Sequence, residues 1–472
     1  MKRNEKIIIL LFSIFLFVEF FLLIDLPFFW DAISKSQRAD WIYSSNFSSL
    51  IVPTAMNSGH PPLWITSIAV FWVLFGKLLW PARLLLLLIN FGVFYQLLVL
   101  ARTHFTKAAS IFLVLLVFIE PTLIASTTML NNDMMLLFFT LLGINALFKN
   151  RSWLYTIAVV GLLMTNLRGI YCFIALSGIH LWLNKAGLLV FERKMLRAYI
   201  IGILVFIAFA FYQNSQIGWF IITENEGFSK HRELTGLARA LKNTAAFIKN
   251  LLEFGRLIIW IPLIFMVYHF LKKKGFKKND KTMRLLIALV VFTAVFFIGM
   301  VPFGNPIGTR YFLICFVLAN VLFINLMIDQ ISNLAYRKII VLAASILFIT
   351  GHLWIYPATI SQAWDSSLAY LNYYSQEEKM VSFIEEQGIS KSDIGTNIRI
   401  NATWIATLNE LDKERMSFVD FDLNTNNYIL FSNIENITKD EDIRILRNDW
   451  EEIKTFSQLG VFMTLYKNPK IK

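Results

Sequence analysis

Charge is what this chain has least of. Only 16% of its 472 residues are Asp, Glu, Lys or Arg, against about 25% in a soluble globular chain, so a water-facing coat is missing. Cysteine is nearly absent, with two residues, which excludes a disulfide-stapled scaffold. Cys172 and Cys315 both lie in apolar runs, where a buried thiol acts as a small hydrophobe. With 21 glycines and 11 prolines the chain is neither collagen-like nor disordered. It also shows no internal repeat of the kind from which many transporters are built. What is present is apolar: 57% of residues are hydrophobic and 15% aromatic, at a mean hydropathy of +0.58. Runs of membrane-spanning length recur along residues 1–356, so the chain is a polytopic membrane protein.

The net charge of +12 conceals an asymmetry. Residues 1–356 hold 32 Lys/Arg and 14 Asp/Glu, whereas residues 357–472 hold 12 and 18. The basic residues sit in short loops between apolar runs, which reads as membrane topology and not as a nucleic-acid surface. The opening MKRNEK precedes an apolar run, Ile7–Phe29, that is long for a signal peptide and lacks a small-residue cleavage site. It reads as a retained first span with a cytoplasmic N-terminus. Ten further spans are expected near 82–101, 108–126, 133–148, 152–166, 169–184, 197–213, 254–271, 283–301, 308–328 and 338–356.

The stretch Leu63–Leu79 is just long enough to cross. If it does not, the loops on the N-terminal side collect 20 basic and four acidic residues. If it crosses, every later loop inverts and KKKGFKKNDK lands outside. The positive-inside rule selects the first arrangement, with 63–79 lying at the outer leaflet. The outer face then receives a first loop (about 30–81), a second (about 214–253) and the tail from 357. The second loop carries Leu234, Leu237, Leu241, Ala245, Ile248 and Leu252 at helical spacing, with Arg239, Lys242 and Lys249 between them. That pattern fits a membrane-surface helix or a plain connector. The tail has a helical stretch near Glu377–Gln387 and alternating runs at Met416–Phe421 and Val461–Tyr466, which predicts a small extracytoplasmic α/β domain over 357–472.

Sparse ionisable residues beside apolar spans are the functional candidates. FFWDAISKSQRADW places Asp31 after the first span, with Lys35, Arg38 and Asp40 following. Asp31 suits a general base tuned by partial desolvation and nearby cations; the alternative is an interfacial anchor centred on Trp30. MNSGHPPLW holds His60 at the surface between a glycine turn and two prolines, in a structural or a functional role. In NND, helix capping accounts for Asn132 and less well for Asp133. Arg168 in TNLRG, and Arg310 with Tyr311 in GNPIGTRYF, lie near the same face as snorkelling anchors or as partners for a phosphate leaving group. The sequons at Asn46, Asn401 and Asn436 carry little weight, since such triplets recur by chance in a chain rich in asparagine. No His/Asp/Glu spacing calls for a metal, although a divalent ion is not excluded.

The order WD, GHPPLW, then LFG with a following AR resembles the first outer loop of GT-C glycosyltransferases. The most similar group contains the protein O-mannosyltransferases and the lipid A aminoarabinose transferases (family 39-like). ARTHFTKAASIFL, NNDMMLLFF, TNLRG and RYF continue the resemblance, which covers roughly residues 7–330. It implies a GT-C-like helical membrane fold and transfer of a hexosyl or pentosyl group from a polyprenyl-phosphate carrier. The acceptor would be a hydroxyl of a protein, lipid or glycan outside the cytoplasmic membrane. Under that resemblance Asp31 is the catalytic base and His60 lies near the lipid phosphate. Arg168, Arg310 and Tyr311 would hold the departing phosphate, and Asp133 would orient the acceptor. Two positions depart from the pattern. Ala32 follows Asp31 where relatives have a second acid, leaving Asp31 alone or with Asp40. Asn166 stands where relatives often carry lysine. A flippase or transporter for an anionic substrate, and a non-catalytic membrane scaffold, are the rival readings.

Overall fold

A computed structural model of the chain describes residues 3–105, 108–190, 192–274, 281–398 and 418–470. Lys107, most of the KKKGFKKNDK loop, the Asn401 sequon and the start of the Met416–Phe421 run lie outside them. The helices are α1 (Arg3–Leu23), α2 (Asp31–Ser44), α3 (Leu63–Phe75), α4 (Leu79–His104), α5 (Val114–Phe118), α6 (Pro121–Thr128), α7 (Asp133–Phe148), α8 (Ser152–Thr165), α9 (Arg168–Lys185), α10 (Leu196–Ile217), α11 (Glu226–Ser229), α12 (Leu237–Leu252), α13 (Leu257–Lys274), α14 (Lys281–Met300), α15 (Leu313–Gln330), α16 (Leu334–Gly351), α17 (Asn372–Glu386) and α18 (Asp440–Asp449).

Helix occupies most of each of the eleven predicted spans, although α1 ends at Leu23, short of the expected Phe29. Six helices among the described residues are long and apolar enough to cross a membrane, or eight if each bent pair is one span. The chain is a multi-pass membrane protein. α4, with 26 residues, rises about 39 Å, more than a hydrocarbon core of about 30 Å requires. α3 has 13 residues and rises only about 20 Å; it ends at Gly76, whose φ is 91°. That length suits a surface helix. α15 is the central pillar, 94% buried along its apolar window, with α13, α14, α5 and α7 packed around it.

The expected span 108–126 is not one straight helix. It bends by 70° between residues 118 and 121, because Pro121 starts a new helix whose N-cap, Glu120, accepts a hydrogen bond from the Leu123 N–H at 2.7 Å. The amphipathic stretch of the second loop forms α12, which turns 93° into α13. Gly255 makes that turn with φ 81°, and a Cβ there would stand 2.5 Å from the Leu347 carbonyl oxygen. Only glycine fits.

The tail folds as a five-stranded sheet of β1 (Ile394–Thr396), β2 (Val419–Asp420), β3 (Tyr428–Ser432), β4 (Glu451–Gln458) and β5 (Val461–Lys467), in the order β2-β1-β3-β5-β4. β1 pairs in parallel with β2 and β3, while β5 pairs antiparallel with β3 and β4. Period-2 alternation divides the residues between two faces. Leu430, Met463 and Leu465 pack with Tyr373, Met380 and Ile384 of α17, and Ile429, Phe431 and Tyr466 pack with Ile443 and Leu446 of α18. The first of these cores also takes in Phe29 and Met129 of the bundle. Tyr374 donates to the Pro27 carbonyl and Tyr370 to the Thr128 hydroxyl, both at 2.8 Å. The sheet domain is therefore seated on the end of the bundle where α2, α7 and α9 begin.

Candidate functional site

Asp31 is placed by strain. Trp30 has φ 44°, a conformation that costs a non-glycine residue about 1–3 kcal/mol and persists only where its surroundings dictate it. Those surroundings include Phe29, whose ring packs 4.8 Å from that of Tyr370. The backbone reversal makes Asp31 the first residue of α2, so Lys35 and Arg38 follow on the same face at i+4 and i+7. Asp40 falls at i+9, on the opposite face, where it pairs with Lys77 at 2.5 Å. It does not join Asp31, contrary to the expectation that the two could share the base's work.

Three carboxylates meet one guanidinium. Arg310 bonds to Asp31 and to Asp365, and its Nε lies 3.1 Å from Asp133 Oδ2. Asp133 also pairs with Arg168 at 2.6 Å. The Asp133 side chain is 2% exposed and is not part of the cavity wall, so it is placed to hold two arginines, not to orient an acceptor. Arg168 is fixed a second time, its guanidinium lying 3.9 Å over the Tyr311 ring. The neighbouring Asn166 accepts the Arg168 N–H at 2.8 Å. Asn132 makes no side-chain cap bond to α7; it faces the cavity instead.

These groups surround a cavity of about 790 Å³. Six cations line it, Lys35, Arg38, Arg168, Arg232, Lys249 and Arg310, against two carboxylates, Asp31 and Asp365. Asp31 is 53% exposed and faces the open space. Partial desolvation by the cavity walls opposes its charge, but Arg310 and Lys35 outweigh that and hold its carboxyl well below the ordinary range. Lys35 lies 3.9 Å from Asp31 and donates to Asn131 at 2.8 Å; burial brings its ammonium down to about 8. Among the described residues Arg38 hydrogen-bonds to neutral oxygens, the Met56 carbonyl at 2.7 Å and the hydroxyls of Ser58 and Ser34 at 2.8 and 3.0 Å. Burial moves it down to about 10. Arg232 donates to the Ser58 carbonyl at 3.2 Å.

His60 sits among these cations, next to Gly59, whose φ is 75° and where a Cβ would be 2.7 Å from the Ile221 carbonyl oxygen. Burial, followed by the Arg232 and Arg38 charges, pushes the imidazole well below its ordinary value. His60 thus lines the cavity as a neutral group. Its Nδ1 is buried without a hydrogen-bond partner among the described residues, as are Trp30 Nε1, Arg232 Nε and Trp364 Nε1. Polar atoms left in that state cost about 1–3 kcal/mol each, and all four belong to residues lining one cavity.

Arg232, Lys249 and Asp365 were not foreseen as site residues. The first two come from the second loop and the third from the tail, and their sequence surroundings carry no motif. A further network, deep in the bundle, supports the site. Arg256 donates to Glu120 at 2.6 Å and to the Glu253 carbonyl at 3.1 Å, and also bonds to Thr122. The Glu253 carboxylate accepts from Thr309, the residue before Arg310. Among the described residues no group of three His, Cys, Asp or Glu side chains gathers as metal ligands.

No protein-family profile matches the sequence, and no curated protein sequence does either. The fold, however, is that of ArnT from Cupriavidus metallidurans. The chain superposes on its structure bound to undecaprenyl phosphate with a TM-score of 0.53 at 12% identity, and on its apo structure with 0.56 at 11%. Both matches cover 98% of this chain and 98% of the other. The chain therefore has an ArnT-like membrane fold over 98% of its length.

Proposed function

We propose that this chain is a membrane glycosyltransferase that moves a sugar from a polyprenyl-phosphate carrier to an acceptor hydroxyl on the extracytoplasmic side. The observation that carries the reading is the cavity wall, where six cations surround an exposed, ionised carboxylate. Asp31 accepts the hydroxyl proton as the acceptor oxygen forms its bond to the anomeric carbon. The bond from that carbon to the phosphate oxygen breaks, and its electron pair leaves with the phosphate. Lys35, Arg38, Arg168 and Arg232 stabilise the charge that develops there, and the Tyr311 hydroxyl adds a donor. A single displacement of this kind inverts the anomeric centre. The low basicity that Arg310 imposes on Asp31 is relieved when the carrier phosphate draws that guanidinium away.

In this reading the N-terminus is cytoplasmic, the positive loops stay inside, and the sheet domain and cavity face outward. The lipid chain lies among membrane lipids beside the bundle. The fold neighbour crystallised with undecaprenyl phosphate, which makes that lipid the probe. A transporter reading is less well supported, because transporters usually place their ionisable groups at mid-membrane, whereas these lie where the helices begin.

Lys35 provides the test. Its ammonium titrates near 8 in the free protein, and the protonated form attracts the phosphate, so affinity is present below that pH and lost as the pH rises through it. Phosphate monoesters are already dianionic above about pH 6, so the lipid adds no change of its own. Affinity for undecaprenyl phosphate should fall about tenfold between pH 7 and 9, the value of roughly one charge-assisted hydrogen bond. Lys35→Arg should flatten that dependence. Absence of any binding would defeat the reading, and a flat wild-type profile would remove Lys35 from it.

A further inference from the structure

We infer that Asp365 is an internal counter-anion, seated on Arg310 until the phosphate of the substrate takes its place, and that it sets how tightly the cavity holds anions. The inference rests on the transferase reading above and gives the tail domain a part in the site. Around Arg310 three cations, Lys35, Arg168 and Arg310, face three carboxylates, Asp31, Asp133 and Asp365. Each of the three Arg310 nitrogens already faces a carboxylate, so an incoming phosphate gains this guanidinium only where one carboxylate withdraws.

The three carboxylates differ in what holds them. Asp133 is 2% exposed and bound to two arginines, so releasing it would break two ion pairs at once and leave Arg168 without its carboxylate. Asp31 belongs to the base position. Asp365 is more exposed than Asp133, at 20%, and it already has a neutral partner in the Ser366 hydroxyl, which donates to it at 3.2 Å. Its backbone is fastened on both sides. Lys249 donates to the Ser361 carbonyl at 3.0 Å, Gln362 and Asn436 bond to each other at 2.9 and 3.1 Å, and Thr122 donates to the Ser366 carbonyl at 3.0 Å. A fixed strap carrying a short side chain allows the carboxylate to rotate off Arg310 without the sheet domain moving.

The experiment titrates undecaprenyl phosphate, and separately inorganic phosphate, into the purified full chain and into Asp365→Asn and Asp365→Glu. Asp365→Asn should bind both probes about tenfold more tightly, since one charged competitor for the guanidinium is gone. Asp365→Glu, which restores the charge, should return to wild-type affinity. Equal or weaker binding by Asp365→Asn overturns the inference. So does a fall in kcat at unchanged carrier affinity, which would make Asp365 a proton acceptor. If inorganic phosphate discriminates between the variants as stated but no form binds undecaprenyl phosphate, the transferase reading fails while the exchange at Arg310 stands.

Discussion

Asp31→Asn should lower turnover by about 10²–10⁴-fold, the usual contribution of a positioned general base, while leaving affinity for the carrier intact or slightly raised. The substitution is isosteric, so the Trp30 reversal and the start of α2 are kept. The amide oxygen can still accept a hydrogen bond from Arg310. What disappears is the basic oxygen that takes the acceptor proton, together with one negative charge beside the phosphate seat. Losing the base affects only the transition state, so kcat and kcat/KM should fall together with KM nearly unchanged. Removing the charge can only help an anion to bind. Steady-state transfer from a carrier-linked sugar, paired with equilibrium binding of undecaprenyl phosphate, separates these effects. If transfer persists at the wild-type rate, Asp31 is an interfacial anchor and not the base.

The second large effect concerns stability. Arg256→Met should destabilise the protein by about 3–5 kcal/mol, because it leaves a buried charge without its counter-charge. The side chains of Arg256 and Glu120 are 2% and 0% exposed, and the arginine also stacks 3.8 Å over Phe316 of the central α15. Methionine fills a similar volume and leaves the buried Glu120 side chain, among the described residues, with only the Leu123 N–H as partner. Adding Glu120→Gln should recover most of the loss, since the amide keeps the N-cap oxygen and carries no charge. Thermal unfolding in detergent compares the single and double variants. A double variant no more stable than the single one would show that the arginine acts by packing alone. The network fixes both sharp bends of the bundle, at residues 118–121 and 252–257, and through Glu253 it touches Thr309 beside Arg310. A fall in activity is therefore expected even in the fraction that remains folded.

Much of this was legible in the sequence. The apolar runs located the helices because a bilayer leaves few alternatives to a hydrogen-bonded helix. The polar tail announced a separate α/β unit through its change in composition. Asp31, Lys35 and Arg38 come to one wall because four- and seven-residue spacings share a helical face. The same arithmetic turns Asp40 away, so its closeness in sequence misled. The bend at Pro121 had a local signal, a proline inside an apolar run, which the length and hydropathy of the run obscured. Asp365 and Arg232 had none. Each reaches the cavity because a tail strap and a loop fold back over the bundle end, and long-range packing of that kind leaves no periodic trace. The lowered basicity of His60 was equally hidden, since it depends first on burial of the ring and then on Arg232 and Arg38, which lie on different elements.

The central claim, sugar transfer from a polyprenyl-phosphate carrier, is tested most directly by mass spectrometry of lipid-linked sugars and glycosylated envelope components. The comparison is between cells with and without this protein. A carrier-linked sugar should accumulate and a glycosylated product disappear when the protein is removed, and wild-type protein, but not Asp31→Asn, should reverse both. Unchanged pools of carrier-sugar and product would contradict the claim.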